Sequence, residues 1–114
     1  MINKIVIVGR LSEEVNVREL EDGKKVGVMK LSVPREYKNS DGNYDTDILE
    51  SVVYGQMAES VGEFCQIGDV IGVKGRLSNV SNEEKDSGSS LKIIAEKVTF
   101  LQSRNKDKDD IEAR

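Results

Sequence analysis

The chain has 114 residues, of which 17 are Lys or Arg and 21 are Asp or Glu, so its formal net charge is −4. This length predicts one domain, and a hydrophobic content of 37% supplies one small core. Because the sequence has no His and a single Cys, it excludes a His-based general base, a Ser-His-Asp triad, an internal disulfide and a CxxC zinc site.

The first half of the chain contains three β-type runs, at residues 3–11, 25–33 and 45–54. Asp-Gly turn signals precede the second and third runs, and this dipeptide is typical of hairpins. Within the second run the apolar positions change parity between Val28 and Met29. Such a change predicts a bulge or strong coiling of that strand.

The next segment, residues 56–65, changes to the spacing of an amphipathic helix. Gly68 follows it as a stop signal. We expect both Phe64 and Cys65 to be core residues. The predicted apolar stripe consists of Met57, Ala58, Val61, Phe64 and Cys65.

Two further strands are predicted, at residues 70–80 and 91–101. Gly72 and Gly75 interrupt the first of them, and glycines inside a strand mark tight bends or a close approach of the backbone. The polar segment between the two strands predicts a hairpin loop. After residue 101 the chain is rich in both charges and poor in apolar residues, which predicts a disordered tail.

This order of elements predicts an all-β domain with one helix. Short strands with a helix between the third and the fourth are typical of the five-stranded OB-fold, a Greek-key barrel with the order β-β-β-α-β-β. Closure of a barrel would also account for the parity change and the strand glycines. We expect this domain to span residues 1–101 and the charged tail to span residues 102–114.

The composition favours a cytoplasmic binding protein over an enzyme. No apolar run is long enough to cross a bilayer, and Gly9 ends the N-terminal run too early for a signal peptide. Cys65 and the serines have no His to activate them, and no glycine-rich phosphate loop is present. We therefore expect no catalysis, no cofactor, no metal and no membrane contact.

Five short motifs, in order along the chain, resemble one family. They are INKIVIVGRL at residues 2–11, KNSDG with TD at 38–47, VVYGQMAE at 52–59, GDV with VKGRL at 68–77, and AEKVTFL at 95–101. Each motif is degenerate, but five in register are specific. Together they resemble the bacterial single-stranded DNA-binding proteins over residues 1–101.

The resemblance implies an OB-fold that binds single-stranded DNA without sequence preference in replication, recombination or repair, as a homotetramer or a related oligomer. Such binding needs aromatic platforms for bases and cations for phosphates. Tyr37 and Tyr54 stand where the family has stacking aromatics, although a lone strand Tyr is more often simply half-buried. Ile48 and Asn82 replace two further aromatics of the family, which predicts weaker binding or greater reliance on phosphate contacts.

The phosphate contacts are expected from strand cations. Arg35 and Lys38 flank Tyr37, and we rank these three residues highest. Three other cations could share one groove if the first strand pairs with the fourth, namely Arg10, Lys74 and Arg76. The full set of candidate cations is Lys4, Arg10, Arg35, Lys38, Lys74, Arg76 and Lys92. Tyr44 is expected to contact Tyr37 across the hairpin.

Two other functions compete with this interpretation. The first is an OB-fold protein-interaction module, such as a replication-restart or mobile-element accessory protein, which the low aromatic content and negative charge support. The second is a calcium loop built on the alternating oxygen ligands of residues 41–47, but Thr46 stands in place of the required Gly and Val52 in place of the bidentate Glu. An acidic hairpin surface is the preferred interpretation of these residues.

The tail is a weak candidate for docking replication or repair enzymes. Family members with long tails end in an acidic, apolar tip, and Asp109, Asp110 and Ile111 supply only a fragment of it. Arg114 places a basic residue where the tip is acidic. A solvated charge run is therefore favoured for this segment.

Overall fold

The computed structural model describes residues 1–79 and 91–103. The described chain forms β1 (Ile5–Leu11), β2 (Val17–Glu19), β3 (Lys25–Lys38), β4 (Tyr44–Tyr54), α1 (Gly55–Phe64), β5 (Val70–Asn79) and β6 (Leu91–Gln102). The five long strands and the helix follow the predicted order, whereas the three-residue β2 was not predicted. The expected 81–90 hairpin loop, the Asn82 position and nearly all of the expected tail lie outside the described residues.

The strands close into a barrel. Antiparallel pairs join β1 to β5, β5 to β6, and β4 to β3, while β4 and β6 run parallel. The ring is completed where Arg10 and Leu11 of β1 pair with Ser32 and Leu31 of β3. This order, with one helix between β4 and β5, is the five-stranded OB-fold, and the predicted fold is confirmed.

The core lies inside the barrel and under one face of α1. Alternate residues of each strand point inward, and the largest of them are fully buried. From the helix, Ala58 and Val61 are buried against this core, and Cys65 is half-buried beside it. The fully buried inward side chains of the strands are Leu11, Met29, Leu31, Ser51, Val53, Ile71 and Val73. Among the described residues, no helix has both the length and the hydrophobicity needed to span a membrane.

The expectation that Phe64 belongs to the core is wrong. Its side chain is 69% exposed, although it follows the apolar stripe of the helix. At 3.6 residues per turn, Phe64 lies about 120° around the helix axis from Ala58. Because Ala58 faces the core, the side chain of Phe64 points to the side of the barrel and not into it. It instead lines a groove of about 660 Å³ between α1 and β6, opposite Phe100.

Of the two irregularities expected near Val28, a bulge or strong coiling, the bulge is not present, because β3 pairs with β4 without interruption from Val26 to Pro34. The apparent parity change arises because Val26 and Val28 have the opposite parity to the inward Met29. Val28 is 37% exposed, but Val26 is only 8% exposed, where it pairs with both Arg18 of β2 and Tyr54 of β4. The irregularity of β3 comes later, between Pro34 and Lys38.

A second irregularity lies between β5 and β6. Lys74 pairs with Lys97 but Gly75 pairs with Ala95, so Glu96 is an extra residue of β6. At this point a Cβ on Gly75 would collide with the backbone carbonyl of Ile94. The close approach expected at the strand glycines is therefore present at Gly75, whereas a Cβ on Gly72 would make only ordinary contacts.

Candidate nucleic-acid interface

The outer face of the β3–β4 hairpin exposes a row of large side chains. Tyr54, Ile48 and Tyr44 share one parity of β4, which points away from the core, and are 46%, 52% and 54% exposed. Tyr37, near the end of β3, is 68% exposed. Six residues separate Tyr54 from Ile48, which is about 20 Å along a strand. The row is therefore long enough to meet several nucleotides of an extended strand.

Tyr37 and Tyr54 are positioned by the ends of their strands. Tyr54 is the last residue of β4 and, in extended conformation, the N-cap of α1. Tyr37 lies within the irregular segment that follows Pro34. Neither ring is packed in the core, so both are accessible to a ligand.

The cross-strand neighbour of Tyr44 is Lys38 rather than the expected Tyr37. The Lys38 Nζ atom lies 5.9 Å from the centroid of the Tyr44 ring. This distance is within the range of a cation–π contact. Lys38 therefore holds its charge beside an exposed aromatic ring at the turn end of the hairpin.

Arg35 lies in an ion pair with the opposite strand. Its Nη2 atom donates to Asp47 at 2.9 Å, its Nε atom donates to both carboxylate oxygens at 3.2 Å, and Nη1 lies 3.8 Å from Asp45. The hydrogen bond to Asp47 raises the pKa of Arg35 above its ordinary value and lowers the pKa of Asp47. These two acidic residues, which suggested a calcium loop, thus face a guanidinium, and the described residues contain no cluster suited to a metal ion.

A second group of cations surrounds Glu96. Lys4 Nζ donates to its carboxylate at 2.9 Å, and Arg76 Nε lies 3.5 Å away. The hydrogen bond from Lys4 lowers the pKa of Glu96, and the charges of Arg76 and Lys74 lower it further. Three cations around one carboxylate leave this group of residues net positive.

The register places the aromatic row of β4 and the cations around Glu96 on one side of the barrel, whereas Asp47, with Arg35 beside it, has the opposite parity in β4. On the outer face, Val52 of β4 pairs with Ile94 of β6, and Ile94 pairs with Arg76 of β5. Arg76 is thus two strand spacings, about 10 Å, from the β4 row. Lys92 lies on the same face, two residues before Ile94. The tyrosine row and the β5 cations therefore form one continuous surface, called here the outer β3–β4–β6–β5 face.

Arg10 does not join the β5 cations. The expected pairing of the first strand with the fourth is present as β1–β5, but Arg10 pairs with Val70 while Lys74 pairs with Val6. Four residues along a strand amount to about 13 Å. The Arg10 Nη1 atom instead donates to the Gly68 carbonyl at 2.8 Å, and Lys4 takes the place expected for Arg10.

Sequence reasoning missed the carboxylates that pair with the basic residues of these strands. Asp47 and Glu96 hold candidate cations, and Glu50 with Glu13 holds Lys30, at 3.8 and 3.4 Å. The alternation of Asp45 and Asp47 on one parity was visible in the sequence. Their partner Arg35 was not, because the β3–β4 register decides it.

These features define an OB-fold barrel with an exposed aromatic row and neighbouring cations on one face. The profile described as "Single-strand binding protein family" matches residues 2–101. The chain belongs to the single-strand binding protein family.

Among curated proteins, Single-stranded DNA-binding protein 2 of Staphylococcus aureus (strain Mu50 / ATCC 700699) is 34% identical over 107 residues, which cover 92% of this chain and 76% of that protein. Single-stranded DNA-binding protein 1 of Lactococcus lactis subsp. lactis (strain IL1403) is 31% identical over 105 residues, covering 90% and 70%.

A solved structure gives an independent comparison of the fold. The crystal structure of the wild-type single-stranded DNA binding protein from Thermus aquaticus superposes with a TM-score of 0.78 at 21% identity. The match covers 91% of this chain and 52% of that one, so the chain spans about half the length of this structural relative. At this identity the comparison supports the fold alone.

Proposed function

We propose that the chain binds single-stranded DNA without sequence preference and protects it during replication, recombination or repair. The observation that carries this function is the exposure of Tyr37 and Tyr54 near strand cations, with Tyr54 on the same barrel face as the cations around Glu96. Stacking on a phenol ring tolerates any base, and the cations follow the phosphates. The family and the names of the relatives support the same substrate.

The proposed contacts divide into rings and cations. Tyr37 and Tyr54 stack bases, and the cations bind phosphates without any chemistry on the strand. We place this activity in the cytoplasm, on the nucleoid. The proposed phosphate-binding residues are Lys4, Arg10, Arg35, Lys38, Lys74, Arg76 and Lys92.

Removing a stacking ring tests the proposal. We expect Tyr37→Ala and Tyr54→Ala each to weaken binding of a labelled oligo-dT by roughly 5- to 150-fold, the equivalent of about 1–3 kcal/mol per stacked base. The measurement is a fluorescence anisotropy titration at low salt. Phe64→Ala is the matched control, because it removes an aromatic ring of similar exposure that lies in the α1–β6 groove.

Unchanged affinity in both tyrosine variants would contradict the stacking role. An absence of binding by the wild-type chain at low salt would instead favour the alternative function, an OB-fold protein-interaction module. Binding should also weaken as salt rises, because neutralised phosphates release counterions.

We also propose that the chain acts as a homo-oligomer, a tetramer or a dimer. Val6 and Val8 on the outer face of β1 are 71% and 51% exposed, and exposed neighbouring apolar residues mark interaction surfaces. In addition, β1 pairs with β3 only at Arg10 and Leu11. Along residues 5–9, the edge of β1 opposite to β5 therefore has no strand partner among the described residues.

A charge on this surface tests the oligomer. Val6→Glu should shift the mass measured by light scattering towards that of one chain, because burying a carboxylate between copies is costly. Val28→Glu, a Val of the β3 outer face, is the control and should leave the mass unchanged. A monomeric wild-type chain, or equal masses for all three proteins, would contradict the proposal.

A further inference from the structure

Three of the proposed phosphate-binding cations are already bound to carboxylates of the same chain, Lys4 and Arg76 on the outer β3–β4–β6–β5 face and Arg35 on the opposite side of the β3–β4 hairpin. Arg35 makes a bidentate contact with Asp47, at 2.9 and 3.2 Å. Lys4 and Arg76 share Glu96, at 2.9 and 3.5 Å. A carboxylate presents two oxygens to a guanidinium much as a phosphate does. These ion pairs therefore occupy the places that backbone phosphates would take.

These ion pairs are accessible and can open. The side chains of Arg35 and Asp47 are 42% and 41% exposed, and Glu96 is 36% exposed. Exposed pairs are held weakly in water, because solvent screens the charges and ordering the side chains costs entropy. A phosphate reaching either ion pair could thus displace its carboxylate without disturbing the core.

We propose that Asp47 and Glu96 are affinity-determining residues that compete with backbone phosphates for Arg35 and for Lys4 with Arg76. Strand binding is then an exchange, in which each phosphate replaces a carboxylate on the same cation. The inference rests on the proposed function and adds the residues that limit its affinity. It requires no movement of the backbone, because only side-chain rotation separates the paired from the released state.

The competition does not extend to every cation of the face. The charge of Lys38 lies over the Tyr44 ring, 5.9 Å from its centroid, and a cation–π contact leaves the ammonium able to meet a phosphate. Lys38 therefore contributes in full, whereas Arg35 contributes only what remains after Asp47 is displaced. We expect removal of Asp47 to increase the contribution of Arg35 to phosphate binding and to leave that of Lys38 unchanged.

Asp47→Asn tests the exchange at Arg35. We expect the affinity of Asp47→Asn for oligo-dT to be about two- to fivefold higher than that of Asp41→Asn. This ratio corresponds to the contribution of one exposed ion pair. Asp41→Asn makes the same charge change at the tip of the same hairpin, outside the ion pairs of Arg35. The plot of log affinity against log salt should also steepen by up to about 0.7, since one more phosphate contact forms.

A second comparison shows whether the effect passes through Arg35. In an Arg35→Gln background, Asp47→Asn should give no more than the gain seen for Asp41→Asn, because the released cation is missing. A gain that persists in this background, or equal affinities of Asp47→Asn and Asp41→Asn, would overturn the competition at this site. Asp47→Ser gives the same comparison if the Asn variant does not fold.

Glu96→Gln tests the second site. It should tighten binding by a similar ratio relative to Glu59→Gln on α1, which makes the same charge change away from Lys4 and Arg76. Equal affinities of these two variants would overturn the competition at Glu96. Failure of every variant and of the wild type to bind at low salt would overturn the proposed function as well, so the two failures are distinguishable.

Discussion

The candidate phosphate-binding side chains act through their immediate neighbours. Arg35 and Lys38 both flank Tyr37 in sequence, yet one lies on a carboxylate and the other over a ring. A count of basic residues would treat them as equal. Their contacts predict different contributions to phosphate binding, because a paired cation must first release its partner.

Ile48 is the residue at which this chain can gain affinity. It is 52% exposed in the row between Tyr54 and Tyr44, where a larger ring would meet solvent and not the core. We expect Ile48→Trp to tighten oligo-dT binding by about 1–3 kcal/mol, as one added stacking platform. The measurement is the same anisotropy titration.

The control for this prediction is Ile67→Trp. Ile67 has a similar exposure of 46% but lies in the turn after α1, beside a different cavity. Equal affinity of Ile48→Trp and the wild type would mean that bases do not reach the middle of the row.

At the scale of single residues, the family resemblance indicated two accessible rings, but the sequence did not indicate which charges are paired. The resemblance to a family pointed to Tyr37 and Tyr54, and both prove to be accessible. The partners Asp47 and Glu96 depend on strand register and on one extra residue in β6. Neither can be predicted from local sequence, because both are properties of two strands together.

At the scale of elements, the long strands and the helix were predictable because each has a clear period or turn signal. The bounds differ mainly where β3 continues through Pro34 to Lys38 and forms the arm that carries Tyr37. The short β2 escaped prediction because three residues, paired only to β3, leave no periodic pattern. Phe64 was wrongly predicted to lie in the core because the apolar stripe of α1 is wider than the barrel surface that covers it, and Phe64 lies at the uncovered edge.

At the scale of the whole molecule, barrel closure brings residues distant in sequence onto one face. Lys4 and Glu96 are separated by nearly the whole domain, and they meet because β1 and β6 both flank β5. The same closure lets an acidic chain present local positive charge. Net charge alone, which favoured a protein-interaction module, is therefore a poor guide to this face.

Acid should destabilise the fold through the same ion pairs. Hydrogen bonds from Arg35 and Lys4 lower the folded-state pKa values of Asp47 and Glu96. A carboxyl with a lowered pKa contributes stability above its unfolded-state pKa and loses it as the pH falls through the folded-state pKa. We therefore expect the free energy of unfolding to decline from about pH 5 downward.

Urea denaturation of the wild type and of the Asp47→Asn, Glu96→Gln double variant, from neutral to acidic pH, measures this decline. The double variant should lose less stability, because it lacks both carboxyls. The Asp41→Asn, Glu59→Gln pair is the control and should follow the wild type. A parallel decline of all three proteins would assign the acid sensitivity to other groups.

The close backbone contact between Gly75 and Ile94 affects the position of a charged residue as well as the packing of the strands. It lies at the point where β6 carries its additional residue, and that residue is Glu96. Any side chain at position 75 would push the two strands apart and carry the carboxylate away from Lys4 and Arg76. The position of the Glu96 carboxylate thus depends on a glycine, which itself has no charge. A substitution at this position would alter the affinity for the ligand although every charged residue of the chain is unchanged.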